Sequence, residues 1–244
     1  MPDTSATPAL SVIIPAWNES ALLPGTLAAL HEAVAASGVA AEIIVVDNDS
    51  DNDTARVAKD AGARVVHEPR RGIACARNAG AARAGARILL FLDADTQVDA
   101  THLGAVMRAV DGGWGGGGAP LELTDMRYPV YRPGVTVWNW LARRLNLAAG
   151  CFLFVRRDLH EAMGGFDERI YAGEEINYSR RLARLARREG LRFGILSTPP
   201  VRSSGRKTHW FAPWQHVLVL LTFVLFPVAG RFRRLSWFWY RRPE

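Results

Sequence analysis

Short apolar runs alternate along this chain with longer stretches whose apolar positions recur every three or four residues. Residues 10–15, 41–46 and 88–92 are almost wholly apolar, and 64–66 is a shorter run of the same kind. Runs of that length without polar alternation read as strands buried on both faces. Between the first two, residues 24–37 repeat Leu27, Leu30 and Val34, with Pro24 suited to a first turn and Gly38 to a stop. Residues 54–62 and 72–84 read as two further helices. Strands that alternate with helices imply parallel pairing through right-handed crossovers. The expected class is therefore α/β, with a Rossmann-like, mostly parallel central sheet flanked by helices.

Beyond residue 95 the pattern loosens. Residues 100–110 predict a helix, and 112–118 are so rich in glycine that a turn or flexible loop is expected. Residues 119–123 and 151–155 are strand-like. A short helix to Met163, a turn at 164–168 and a helix from Glu174 through Arg188 follow. Residues 128–146 mix Tyr128, Tyr131, Trp138 and Trp140 with arginines and suggest no single element.

Chemistry concentrates where the run 88–92 ends in Asp93-Ala94-Asp95. Ligands of open α/β sheets bind beyond the carboxyl ends of the strands. Residues i and i+2 of an extended chain point the same way, so two like charges meet there and repel unless a cation or ligand donors neutralise them. Carboxylate oxygens suit Mg²⁺ or Mn²⁺, which bind through one or two carboxylates plus substrate phosphates. A strand-end turn whose aspartates cap the next helix is the local alternative. There is neither a Walker-type phosphate loop nor a G-x-G-x-x-G fingerprint.

Charge and cysteine content narrow the setting. The net charge of +6 is unevenly placed: after residue 200 there are eight cations against the single acid Glu244, while the first 200 residues sum to −1. A basic tail interleaved with aromatics and an apolar run points to a membrane surface rather than nucleic acid. Cys75 and Cys151 form no disulfide framework, which fits a reducing compartment. The first eight residues lack the basic and apolar segments of a signal peptide, so a cytoplasmic location is expected.

Six motifs then appear in order over roughly residues 10–200: Ser11-Val12-Ile13-Ile14-Pro15-Ala16-Trp17-Asn18-Glu19, Val45-Val46-Asp47-Asn48-Asp49-Ser50, Ala76-Arg77-Asn78-Ala79-Gly80, Phe91-Leu92-Asp93-Ala94-Asp95, Gly164-Gly165-Phe166-Asp167-Glu168 and Gly173-Glu174-Glu175. Together they resemble glycosyltransferase family two, inverting nucleotide-sugar transferases of the GT-A fold. The resemblance implies that Pro15 to Glu19 surround the nucleotide base, with Trp17 as a stacking face and Asp47 accepting a hydrogen bond from the base. It places Arg71 and Arg77 as cations near the nucleotide and Ala94 beside it. Asp93 would touch the ribose or the metal, and Asp95 would ligate a Mg²⁺ or Mn²⁺ that bridges two phosphates. On local grounds alone Trp17 also suits strand-end packing, Asp47 a helix cap, and Arg71 or Arg77 a surface ion pair.

The implied activity is metal-assisted transfer of one sugar from a UDP- or GDP-sugar to an acceptor hydroxyl, on a sugar or a lipid-linked acceptor. Glu175 stands where the family's Glu-Asp pair has its Asp and is the candidate base. Glu replaces Asp there and Asn177 replaces a frequent second acid, so Glu174 is the other candidate. Phe166 and Asp167 are expected beside the donor sugar or acceptor, and His209 is a further candidate for the metal shell. The Gln-x-x-Arg-Trp signature of processive synthases is missing, which favours single transfer. The rivals are a nucleotidyltransferase of similar fold and a non-catalytic nucleotide-sugar binder. A glycine-rich basic loop after the first strand would favour the former, and Pro15 to Glu19 is not one.

The expected organisation is a catalytic domain over residues 1–212 and a membrane-associating tail over 213–244. Residues 217–229 carry no charge but are interrupted by Pro227. As helix they reach about 20 Å, short of the roughly 30 Å hydrocarbon core. Trp237 to Tyr240 followed by Arg241 and Arg242 resembles an interfacial belt. A monotopic or re-entrant attachment is expected, with a true span as the alternative.

Overall fold

The computed structural model describes residues 7–226 and 228–240. The apolar runs form strands β1 (Leu10–Ala16), β2 (Ala41–Asp47), β3 (Arg64–His67) and β4 (Ile88–Leu92), and helices α1 (Leu23–Ser37), α2 (Thr54–Asp60) and α3 (Ile73–Arg83) join them. β5 (Thr96–Gln97), α4 (Ala100–Asp111), β6 (Trp114–Gly118), β7 (Leu121–Thr124), α5 (Tyr131–Leu145), β8 (Phe152–Arg156) and α6 (Arg157–Ala162) come next. The chain continues through α7 (Glu174–Arg188), β9 (Arg192–Ile195), β10 (Val201–Ser204), α8 (Lys207–Trp210), α9 (Pro213–Leu225) and α10 (Trp237–Tyr240).

Seven strands make one sheet in the order β3-β2-β1-β4-β8-β6-β9. β1 pairs in parallel with β2 and β4, and β2 with β3. β8 runs antiparallel between β4 and β6, and β6 and β9 are again parallel. The period of two along β1 divides the interior. Val12 and Ile14 face α1 and α4 with Leu90 and Leu92, while Ile13 faces α3 and α7 with Leu89 and Phe91. Both faces are covered, which is why all five residues of β4 are buried and why its sequence does not alternate. A smaller sheet, β5-β10-β7, stands beyond the carboxyl end of β4.

The expectation of a loop at 112–118 is overturned. Residues 114–118 are a buried strand inside the sheet. Glycine is there for space: a Cβ on Gly116 would stand 2.6 Å from the Phe154 carbonyl, and one on Gly118 2.7 Å from Ala148 Cβ. Residues 128–146, left without an element above, form the fifteen-residue helix α5.

Among the described residues no helix is long and apolar enough to cross a membrane. No described residue of α9 is buried, and the chain then returns to the body. The Tyr171 N–H donates to the Gly230 carbonyl at 2.6 Å, Tyr240 Oη donates to the Tyr171 carbonyl at 3.0 Å, and Phe238 packs 4.5 Å from Phe211 between ring centres. Pro227, Arg241 and Arg242, on which part of the tail expectation rests, lie outside the described residues.

Candidate active site

The carboxyl ends of β1 and β4 open into a cavity of about 390 Å³, within the usual range for small-molecule sites. It is lined by Pro15, Trp17, Glu19, Arg71, Arg77, Asp93, Ala94, Asp95, Glu174 and Glu175, so most of the expected site residues meet there. Asp47 does not line it; Asn48 does. Asp47 ends β2, accepts the Ser50 N–H at 3.3 Å and lies 3.5 Å from His67 Nδ1.

Asn48 braces the neighbouring loop. Its amide donates to the carbonyls of Glu68 and Arg70, each at 2.8 Å, and its Oδ1 accepts the Gly72 N–H at 2.9 Å. Gly72 has φ +152°, a conformation side chains disfavour, and it leads straight into α3. The braced loop holds Arg71 with its guanidinium 4.3 Å from the centre of the Trp17 ring and its Nε 3.1 Å from Asp49. Trp17 and Arg71 are thus each other's packing partner and together form a flat, cationic wall.

Arg77 is not a surface cation. It is 1% exposed and joins three elements: Nη1 donates to Glu174 at 2.6 Å, and Nη2 to Asp93 at 3.1 Å and the Gly150 carbonyl at 2.8 Å. Burial opposes its charge, but Asp93, Glu174 and Glu175 outweigh burial and hold the guanidinium protonated. Phe166 lies under it at 5.2 Å and stacks on Tyr178 at 4.0 Å. That corrects the expectation for Phe166, which is 2% exposed core rather than a wall of the cavity. Asp167 lines a separate surface cleft with Asn177 and pairs with Arg169 at 2.9 Å.

The two glutamates at the start of α7 have different surroundings. Glu174 is buried and committed to Arg77. Glu175 is only half-buried and lines the cavity beside Gly150. Among the described residues none hydrogen-bonds its carboxylate. Enclosure, and secondly the negative charge of Glu174, push the Glu175 pKa up to about 8, with Arg77 opposing.

Opposite stand Asp93 and Asp95. Asp95 accepts from Ser203 Oγ at 3.3 Å and lies 3.3 Å from Arg206 Nη2. Burial raises its pKa to about 6 against the pull of Arg206. Arg206 also makes a two-pronged bond to Glu19, 2.6 Å on each prong, so β10 and α8 are tied to the loop after β1. Lys207 lines the cavity too; burial lowers its pKa, while Asp95 and Asp93 oppose that. Motif reading did not single out these two cations as site residues. Their only sequence signal is adjacency after a short strand. His209, the candidate for a metal shell, instead has Nε2 2.7 Å from the Asp125 carbonyl.

A divalent cation fits this donor set in one form. Among the described residues no group of three or more His, Cys, Asp or Glu could hold a metal alone. Two hard carboxylates on one wall of a cavity of nucleotide size do suit an ion that takes its other ligands from phosphates and water. Asp93 and Asp95 would hold it.

Residues 11–116 match the family described as glycosyl transferase family 2. Over that stretch the chain is similar to glycosyl transferase family 2. An uncharacterized glycosyltransferase of Mycobacterium bovis is 39% identical over 135 residues, 55% of each chain. The chain thus spans about half the length of that curated relative. Among solved structures, the mannosyltransferase PcManGT of Pyrobaculum calidifontis, in complex with GDP-Man and Mn²⁺, superposes with a TM-score of 0.68 at 20% identity, over 100% of this chain and 67% of that one. TarS 1–349 of S. aureus in complex with UDP-GlcNAc gives 0.63 at 18% identity, over 80% and 58%. The fold is accordingly an α/β GT-A type with a mostly parallel central sheet, and the segment that matches the family model supplies the walls bearing Trp17, Arg71, Arg77, Asp93 and Asp95.

Proposed function

We propose that the chain transfers a single sugar, with inversion, from a nucleotide diphosphate sugar to an acceptor hydroxyl. The reading rests chiefly on one observation: the half-buried carboxylate of Glu175, without a hydrogen-bond partner among the described residues, shares a cavity with Asp93, Asp95, Arg206 and Lys207. The nucleotide lies toward Trp17 and Arg71, its diphosphate between the aspartates and the two cations. The acceptor hydroxyl attacks the anomeric carbon as the bond to the diphosphate oxygen breaks, and its proton passes to a Glu175 oxygen. A base works best with a pKa near the working pH, which the raised value of Glu175 provides. Glu174 serves as a positioning residue, since its carboxylate is bound to Arg77. A cation held by Asp93 and Asp95 would act as a Lewis acid toward the leaving diphosphate, and the mannosyltransferase neighbour is in complex with both GDP-Man and Mn²⁺. Arg206 and Lys207 supply protein charge to the same oxygens.

The exposed apolar α9 and the arginines after it support an acceptor at a membrane, with the protein attached peripherally on its cytoplasmic side. Two free, buried cysteines accord with that reducing location. Assays of Glu175→Gln and Glu174→Gln beside the unmodified protein, over a panel of UDP- and GDP-sugars with Mn²⁺, test the chemistry. Lost turnover with retained donor binding in Glu175→Gln supports it. Undiminished turnover in that variant removes the base assignment.

A further inference from the structure

α5 has two unlike faces. Its inner face carries Asn139, whose amide donates to the Leu121 carbonyl at 2.8 Å and accepts the Leu121 N–H at 2.9 Å, and Ala142, which is buried. Its outer face carries Val137, Trp140 and Arg144 at i, i+3 and i+7, one stripe of a helix. Val137 is 55% and Trp140 57% exposed, and the Arg144 guanidinium lies 5.7 Å from the Trp140 ring centre. An indole exposed beside an arginine is the side-chain pairing that suits a headgroup layer, with an apolar body and a charged tip.

The first turn of α5 adjoins α9. Tyr131, which opens α5, has its Oη 3.2 Å from His216 Nδ1 in α9, and the two rings are 4.9 Å apart. On α9, Trp214, Leu220 and Leu225 are 65%, 63% and 79% exposed. A helix apolar all round belongs in a core or a membrane, not in water. Charge identifies the cover. On α5 Arg132, Arg143 and Arg144 are exposed, and after α9 so are Arg231, Arg233 and Arg234. A second copy of the chain would bring these arginines face to face, which disfavours a symmetric dimer.

We propose that α5 is a second membrane-contacting element, seating with α9 on an anionic lipid leaflet. The inference extends the membrane reading of the tail and is independent of the catalytic reading. Because Trp138 of α5 and Trp210 before α9 both line the cavity, the leaflet would lie along one border of the site.

Flotation of the full-length chain tests it, with vesicles of phosphatidylcholine alone and of phosphatidylcholine with phosphatidylglycerol. Three variants are compared with the unmodified protein: Arg143→Gln with Arg144→Gln, Trp140→Ser, and Leu220→Ser with Leu225→Ser. A cation near an anionic surface contributes about fivefold, so the double arginine variant is expected to lose about 25-fold in partition to anionic vesicles and nothing on neutral ones. Trp140→Ser is expected to weaken partition to both. Thermal shifts with UDP and GDP should match the unmodified protein throughout, which reports an intact fold. If the α5 variants float like the unmodified protein while the leucine variant does not, α5 is no contact and the tail acts alone. Failure of the unmodified protein to float overturns the tail reading as well. A concentration-dependent dimer broken by Trp140→Ser would show that the stripe is covered by another copy instead.

Discussion

Replacing Arg77 by Met tests the buried hub on which both walls of the cavity depend. The guanidinium is 1% exposed and satisfies Glu174, Asp93 and the Gly150 carbonyl at 2.6–3.1 Å. Methionine keeps most of the volume and removes all three bonds, leaving the buried Glu174 carboxylate without its cation. Breaking a buried ion pair from one side costs roughly 3–5 kcal/mol. At about 2–4 °C per kcal/mol for a chain of this size, the melting temperature should fall by about 6–20 °C at neutral pH. The pH dependence has a definite sign. Glu174 already has a raised pKa from burial, and losing Arg77 raises it further. A group whose folded pKa lies above its unfolded value stabilises the fold below the unfolded value, and that contribution disappears as pH rises through the folded one. The variant should therefore recover stability relative to the unmodified protein as pH falls toward 4.5, the ordinary carboxyl value. Adding Glu174→Gln should restore much of the loss, because a neutral amide needs no cation. Differential scanning fluorimetry from pH 5 to 8 at one ionic strength measures all of this. A melting temperature within 2 °C of the unmodified protein at neutral pH, or a double variant no more stable than the single one, would refute the hub.

Three more outcomes follow from other parts of the site. Glu175→Gln should lower kcat about 10²–10⁴-fold with donor affinity kept, and in the unmodified enzyme kcat/KM should climb with pH until Glu175 ionises near 8. A flat profile across that range speaks against Glu175 as base. Lys207→Met should weaken UDP or GDP binding about 10- to 150-fold in calorimetry without changing the affinity for the nucleoside, since charge-assisted bonds to a phosphate are worth about 1.5–3 kcal/mol. Equal losses for nucleotide and nucleoside would place Lys207 elsewhere. Gly116→Ala, whose Cβ would stand 2.6 Å from the Phe154 carbonyl and 2.8 Å from Leu182, should destabilise by about 1–3 kcal/mol in urea melts. No loss there would mean that β6 has room to spare.

The parts of the molecule most legible in the sequence were those with a single physical requirement. β1, β2 and β4 must be apolar on both faces, so their composition reveals them, and the aspartates that follow β4 stand out against it. β6 was illegible because crowding selects glycine there, and a run of glycines carries the same letters whether a strand is squeezed or a loop is free. α5 was obscured by its outer face: exposed Val137 and Trp140 blur the periodicity that buried and polar faces normally make. Motif order was enough to pick out Asp93, Asp95 and Glu175, which the fold brings to one cavity, but the different surroundings of the two glutamates were not readable. They depend on Arg77, 97 residues from Glu174 in sequence, reaching one carboxylate and leaving the other. Arg206 and Lys207 were missed for a similar reason, since only the docking of β10 beside β5 and β7 brings them to Asp95.

The return of the chain after α9 makes that helix hard to remove cleanly. Gly230 receives the Tyr171 amide, and Tyr240 reaches far enough back to become part of the wall around the reacting groups. Shortening the protein after residue 212 to make it easier to handle would take that wall away along with the greasy helix. Bulk solvent would then gain a second way in, and the shortened enzyme should spend more of its donor on water than on acceptor.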